Sequence, residues 1–371
     1  MKKNSALYGI KSQVLKVPAY TLHAYEADIK LNQNENPYDF PEDLKEETFR
    51  RYRERQWSRY PDFVPDSLQS RIAEFAGWRK DGVLVGNGSN ELLQAALMIL
   101  IKTRTKVAIP VPTFTVYRLI STVLGAGVVD IPLNPDMSYN IDRLIATSRE
   151  SGASALIINT PNNPTGSVLT EDGLKEILEN FSGHVLLDEA YYEFWGRSAL
   201  NILESYPRLI ITRTFSKAMG MAGLRLGYLM AHPDLAAQIS KAKLPYNVNQ
   251  FSLTAAEVAL ENAGRFRPAI EAVLQERTRL ETELGRIPGV KVYPSRANFF
   301  LVEVGKEPRA VFDDLYRQGI LIRDVSHYPM LSKCLRISVG TREENDRLLS
   351  ALRAGLSTGA MSGVEGARES I

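Results

Sequence analysis

A lysine becomes a nucleophile or a proton carrier only when its amine loses its charge, and Lys217 stands where that could happen. It lies in Thr214-Phe215-Ser216-Lys217, just past an apolar run at 209–212. Such a run reads as a strand, and open α/β sheets bind ligands at the carboxyl ends of their strands. Partial desolvation and a nearby cation both lower an amine's pKa. Arg225, eight residues on (225 − 217 = 8), could supply that charge. Gly220, Gly223 and Gly227 around it would let backbone approach a ligand closely. A lone lysine is ordinarily a solvated surface residue, so the weight rests on these neighbours.

Four further groups could meet a ligand at the same place. Asp188 closes the apolar stretch Val185-Leu186-Leu187 and is followed by Glu189, Ala190 and Tyr191. A carboxylate there can keep a heteroaromatic nitrogen protonated, or it can cap a helix. Thr160-Pro161-Asn162-Asn163-Pro164-Thr165-Gly166 forms a stiff turn that could hold the Asn163 amide at a ring oxygen, or it is a plain turn. Gly86-Asn87-Gly88-Ser89-Asn90-Glu91 opens a helix and has the build of a phosphate cup, although an ordinary capped loop has the same composition. Glu91 stands where a dinucleotide fingerprint needs its third glycine, and the Walker lysine is missing, so a phosphate monoester fits better than a dinucleotide. Arg336 alternates with Leu335 and Ile337, so it faces away from them and could clamp a carboxylate or phosphate, or pair with Asp324. Arg323 is a second candidate cation.

Other chemistries find little support. The four histidines, His23, His184, His232 and His327, are scattered without ligand spacing, so no metal is expected. No Gly-x-Ser-x-Gly elbow is present. A net charge of +2 gives no reason to expect nucleic acid or an anionic membrane as partner. The most apolar stretch, 92–101, is about half of the roughly 20 residues a membrane helix needs. Cys334 is the single cysteine, which rules out an internal disulfide and fits a reducing compartment. A cytoplasmic protein is the expectation.

The elements that must position these residues follow from apolar runs alternating with amphipathic segments. Strands are expected at 107–109, 155–158, 185–187, 209–212 and 226–230, and helices at 91–102, 170–180 and 234–243. That alternation predicts an α/β domain with a largely parallel sheet. A long helix at 266–284, strands at 299–304 and 335–339, and a helix at 309–318 predict a smaller α+β domain. The expected division is an N-terminal arm joining the small domain (1–45), a large domain (46–260), the small domain (261–355) and a mobile tail (356–371). The first 45 residues, holding Pro18, Pro37 and Pro41, are expected to be irregular.

Asn163, Asp188 with Tyr191, Ser216-Lys217, Arg225 and the late Arg336 occur in that order, and together they resemble the fold-type I pyridoxal-phosphate enzymes of the aspartate aminotransferase superfamily. The segments Leu31–Tyr38, Arg59-Tyr60-Pro61-Asp62, Leu244-Pro245-Tyr246-Asn247-Val248-Asn249, Ala297–Phe300 and Ile322–Ser326 make the chain most similar to histidinol-phosphate aminotransferases, from about residue 15 to 355. The resemblance implies pyridoxal 5′-phosphate (PLP) held by Lys217 as a Schiff base, with Lys217 also moving the proton. It implies Asp188 on the pyridinium nitrogen, Asn163 and Tyr191 on the ring oxygen, and Phe114 on the ring face. Gly88, Ser89, Asn90, Thr214, Ser216 and Arg225 would seat the phosphate, with Tyr60 reaching it from the other subunit of a homodimer. Arg336 and Arg323 would hold the substrate anion, aided by Tyr20, Asn34, Tyr246 and Asn247. Phe114 stands where some relatives carry tyrosine; it can stack but offers no hydroxyl.

The implied reaction is reversible ping-pong transfer of the glutamate amine to imidazole acetol phosphate. The same pattern leaves open an aromatic or broad-range aminotransferase, and a threonine-phosphate decarboxylase. A PLP-sensing regulator would need a DNA-binding module, and no helix-turn-helix pattern or basic excess precedes Asn34.

Overall fold

A computed structural model describes residues 6–19, 25–102 and 104–357. Its strands, in chain order, are β1 (Ile29–Lys30), β2 (Val83–Gly86), β3 (Lys106–Val111), β4 (Gly127–Pro132), β5 (Ala153–Asn159), β6 (His184–Asp188), β7 (Leu209–Thr214), β8 (Gly227–Ala231), β9 (Val290–Val292), β10 (Phe299–Val304), β11 (Ile320–Leu321), β12 (Arg323–Asp324) and β13 (Cys334–Ser338). Seven of them form one sheet in the order β2-β8-β7-β6-β5-β3-β4. Only β8 runs against its neighbours; the other pairings are parallel. The mixed α/β class with a mostly parallel sheet is therefore as expected.

The chemistry of the strands explains this arrangement. The central strands β5, β6 and β7 are buried along almost their whole length. Parallel strands covered by helices on both faces need apolar side chains on both faces, which is why they read as continuous runs. The edge strand β4 holds Gly127, Asp130 and Pro132, which are exposed, and only Ile131 is buried, so no apolar run marked it. Helix starts follow side-chain caps: Thr170 accepts from Gly173 N before Glu171–Asn180, and Asn249 accepts from Ser252 N before Gln250–Glu261.

A second, antiparallel sheet runs β12-β13-β10-β9 and packs on the helices Arg267–Gly285 and Pro308–Arg317, which in turn hold the helix Arg342–Ser357. Its core holds Phe299, Phe300, Leu335 and Ile337, and Ile29, Leu31, Tyr191, Phe194 and Ala218 join the same cluster. The N-terminal stretch is less irregular than expected. It contains the helix Ser12–Lys16, the strand β1 paired in parallel with β11, and the start of the helix Glu42–Arg53. β1 is only two residues long and its partner lies about 290 positions away, so no local pattern could reveal it. The helix Arg342–Ser357 runs two residues into the expected tail; residues 358–371 lie outside the described residues. Among the described residues, no helix is long and apolar enough to cross a membrane.

Candidate active site

Sheet geometry brings the expected residues to one edge. Asn159 ends β5 and leads to Asn163; Asp188 ends β6; Thr214 ends β7 and leads to Ser216 and Lys217; Arg225 precedes β8; and Ser89 follows β2. These loops and the second sheet enclose a cavity of about 650 Å³. Its lining includes Asn34, Ser89, Asn90, Phe114, Asn163, Asp188, Tyr191, Thr214, Ser216, Lys217, Arg225, Arg323 and Arg336.

Lys217 is half-buried, and its ammonium donates to the Gln33 carbonyl at 2.7 Å. Burial pushes its pKa down to about 7; the Arg336 and Arg225 cations act in the same direction, and Glu35 and Asp188 oppose them. Near neutral pH a large fraction of this amine is uncharged, the form a nucleophile needs.

Asp188 is 5% exposed. Burial raises its carboxyl to about 6, against the Tyr117 hydroxyl, the Ala190 N–H and Thr212, which favour the charged form. Tyr117 donates to Oδ2 at 2.6 Å and Ala190 N to Oδ1 at 3.1 Å. Asp188 faces the cavity and closes an Asx turn with Ala190; it does not cap a helix, since the helix Tyr192–Trp195 has Tyr191 at its N-cap and no side-chain cap. No cation among the described residues pairs with it.

The stiff turn places Asn163 by two bonds. Its N–H donates to Asn159 Oδ1 at 2.8 Å, and its Oδ1 accepts from Arg336 Nη1 at 2.5 Å. Asn159 Nδ2 in turn holds the Asp188 carbonyl at 2.9 Å. Asn34 Nδ2 donates to the Tyr191 hydroxyl at 3.0 Å.

Gly88, at φ +83°, sits at the N-cap of the helix Ser89–Leu100, where no side chain caps the first turn. A Cβ there would come within 2.9 Å of Arg225 Nη2, and a Cβ on Gly227 would come within 2.5 Å of Ser89 N. The cup therefore lies directly on β8 and against Arg225, whose Nη1 donates to Ser216 Oγ at 3.3 Å. Arg225 adopts a left-handed φ of 53°, a strained conformation of the kind that collects at ligand sites.

Arg336 does not pair with Asp324. It donates to Asn163 and to the Asn32 carbonyl, while Asp324 accepts from Ser326. Arg323 is its register partner across β12–β13. Like charges directly opposite one another repel, and an anion between them relieves the repulsion.

Some expected residues stand apart. Tyr60 is 80% exposed, and its ring stacks on Tyr246 at 4.6 Å between centroids. Neither lines the cavity of this chain. Asn247 does not reach it either: its amide donates to Glu91 at 2.9 Å. Tyr20 lies outside the described residues.

Sequence reading missed Tyr117, Asn159, Asn32 and Tyr328. Tyr117 lies three residues after Phe114, across the turn that opens the helix Val116–Leu124, and the structure sets the two rings edge-on at 5.5 Å. Asn32 comes from a distant segment and had no local signal; its buried Oδ1 has no hydrogen-bond partner among the described residues.

Comparison with known proteins agrees with this geometry. The family described as aminotransferase class I and II matches residues 26–352. A histidinol-phosphate aminotransferase of Chlorobaculum tepidum is 41% identical over 329 residues, covering 88% of this chain and 94% of that protein. Two solved structures share the fold. The histidinol-phosphate aminotransferase of Clostridium acetobutylicum has a TM-score of 0.82 at 25% identity, covering 89% of this chain and 99% of that one. That of Sinorhizobium meliloti, solved in complex with pyridoxal-5′-phosphate, has a TM-score of 0.85 at 24% identity, covering 95% and 99%. Lengthwise agreement of this kind, with the lysine-centred cleft, makes the chain a member of the class I and II aminotransferase family, within its histidinol-phosphate aminotransferase group.

Proposed function

We propose that this transaminase uses PLP to carry the amino group of L-glutamate to imidazole acetol phosphate, giving L-histidinol phosphate and 2-oxoglutarate, reversibly and by a ping-pong course. What carries the reading is one uncharged-prone amine, Lys217, in a cavity with two separate anion-binding groups. Ser89, Asn90, Ser216 and Arg225 form one, and Arg323 with Arg336 form the other.

The donor set suits the cofactor. The uncapped helix start, two hydroxyls and a guanidinium match a phosphate monoester. Gly88 and Gly227 leave the cup without the Cβ atoms that would crowd it. Asp188 is a buried carboxylate with no ion-pair partner among the described residues, which a ring N–H⁺ would complement. Bound PLP supplies a carbonyl that exchanges amines and a protonated ring that withdraws electrons.

The chain's own residues do the rest. Asp188 would hold the proton on the ring nitrogen of bound PLP, with Tyr117 fixing one carboxylate oxygen. Asn163 and Tyr191 would position the ring oxygen of bound PLP, Phe114 would cover a ring face, and Thr214 would join the phosphate seat. Lys217 would anchor the cofactor and take the proton from the substrate Cα, a task for which a pKa near 7 suits it. Arg336 and Arg323 hold the carboxylate of glutamate and the phosphate of the acceptor in turn, because a planar guanidinium binds either. Asn34 buttresses Tyr191, and Tyr20 adds to the substrate pocket. In this reading the active unit is a cytoplasmic homodimer that presents the exposed Tyr60–Tyr246 pair to a second copy, with Asn247 behind it. Residues 46–260 form the large domain and 261–355 the small one.

The test is spectroscopic. The visible band of the PLP-loaded protein should fade with glutamate and return with imidazole acetol phosphate. Return only with an aromatic 2-oxo acid would reassign the acceptor, and carbon dioxide release from phosphothreonine would reassign the reaction. Lys217→Ala should abolish the band and cut turnover by roughly 10⁴-fold.

A further inference from the structure

Glu91 is a carboxylate at the end of the phosphate cup, where a second negative charge needs a reason. It is the third residue of the helix Ser89–Leu100, whose N-cap is a glycine. A helix start usually takes its shape from a Ser, Thr, Asp or Asn at the N-cap that bonds the first N–H groups. Here such a side chain would occupy the donors that the phosphate needs. The loop is shaped from behind instead: Glu91 Oε2 accepts from the Asn87 N–H, the residue before the cap. It is half of a capping box, displaced by one position.

The same oxygen accepts from Asn247 Nδ2 at 2.9 Å. Lys243, half-buried, has its ammonium stabilised by the Glu91 charge against burial. Packing under the loop is close: a Cβ on Gly86 would come within 3.1 Å of Glu91 Oε2 and 2.6 Å of Leu92 Cγ. Glu91 therefore ties three things together: the cup, the helix start, and the segment that carries Asn247 and Tyr246.

We propose that Glu91 is a positioning residue for the cofactor phosphate, holding the Asn87–Gly88 backbone and the Asn247 segment in place so that the first-turn N–H groups stay open. The proposal rests on the PLP reading above. It assigns Glu91 no contact with cofactor or substrate, and it gives Asn247 a role behind the cup in place of a substrate contact.

The experiment measures the affinity of the full-length protein for PLP and for pyridoxal, which lacks the phosphate. Glu91→Ala should weaken PLP binding by roughly tenfold, the scale of a lost helix cap, and leave pyridoxal binding unchanged. Glu91→Gln keeps an oxygen that can accept from Asn87, so it should restore most of the PLP affinity. Equal losses for both ligands in Glu91→Ala, or no loss for either, would overturn the positioning role. If the unsubstituted protein binds neither ligand, the PLP reading itself falls and takes this proposal with it. If it binds both equally well, the PLP reading survives and the phosphate cup does not.

Discussion

Asp188 and Glu189 are neighbours in sequence, both buried carboxylates at the end of β6, yet their surroundings differ entirely. Glu189 faces a closed network. It accepts from Arg213 Nε at 2.9 Å, from Ser198 Oγ and from Ala199 N, and Arg213 lies 3.7 Å over the Tyr192 ring. Asp188 faces the cavity with a phenol and a backbone N–H, and no cation among the described residues pairs with it. Alternation along an extended chain sends successive side chains to opposite sides, which separates the two. A buried charge whose partners are all within the fold holds the fold together. One left short of a countercharge in a cleft is where a ligand's opposite charge is expected.

The sharpest way to break this comparison is to neutralise each carboxylate in turn. Asp188→Asn should lower kcat by roughly 10²–10³-fold, as for removal of a transition-state electrostatic group. It should leave stability intact or raise it when the cofactor is stripped. The sign follows from linkage: the folded pKa of about 6 lies above the ordinary 3.8, so the cost of the charge grows as pH rises between those values and is fully present above them. Glu189→Gln should do the reverse, costing about 3–5 kcal/mol by leaving Arg213 buried and unpaired. Thermal melts and single-turnover rates on both variants decide the matter. A stable but inactive Glu189→Gln protein would erase the distinction.

A second contrast, between Arg213 and Arg336, predicts a smaller effect. Arg336→Gln should raise KM for the phosphorylated acceptor by roughly 10–100-fold, the range for a hydrogen bond to a charged group. It also removes a cation that depresses the Lys217 pKa. The charged amine then persists to higher pH, so the acid limb of the pH–kcat/KM profile should move upward. A weakened KM with an unmoved limb would show that Arg336 acts on the substrate alone. The smallest change is Tyr117→Phe. Losing one donor to Asp188 costs about 1 kcal/mol, a few-fold in rate, and should push the Asp188 carboxyl further up. A spectrophotometric titration of the bound cofactor would detect it; an unchanged titration would make Tyr117 a packing residue only.

Legibility in the sequence followed locality. Lys217, Asp188 and Asn163 could be found because each ends or follows an apolar strand, and the strand is a property of consecutive residues. The helix at 170–180 was readable from its Thr170 cap and period. Asn247 could be noticed as part of a characteristic segment, but its bond to Glu91, 156 residues away, could not. β4 escaped notice because a partly exposed edge strand needs no apolar run.

The sequence by itself determined the α/β class, the strand ends that carry the reactive groups, and the order of lysine, carboxylate, amide and arginines along the chain. Those features depend on side-chain type and on periods of two and about 3.6 residues, which are local. Only the tertiary structure decided which groups share a cavity and which charges are satisfied elsewhere. Asn34 reaches Tyr191 and Ser338 across 157 and 304 residues, and Arg336 reaches Asn163 across 173. Burial and Coulomb terms act through space, so the depressed amine of Lys217 and the raised carboxyl of Asp188 exist only once the two sheets have closed around them.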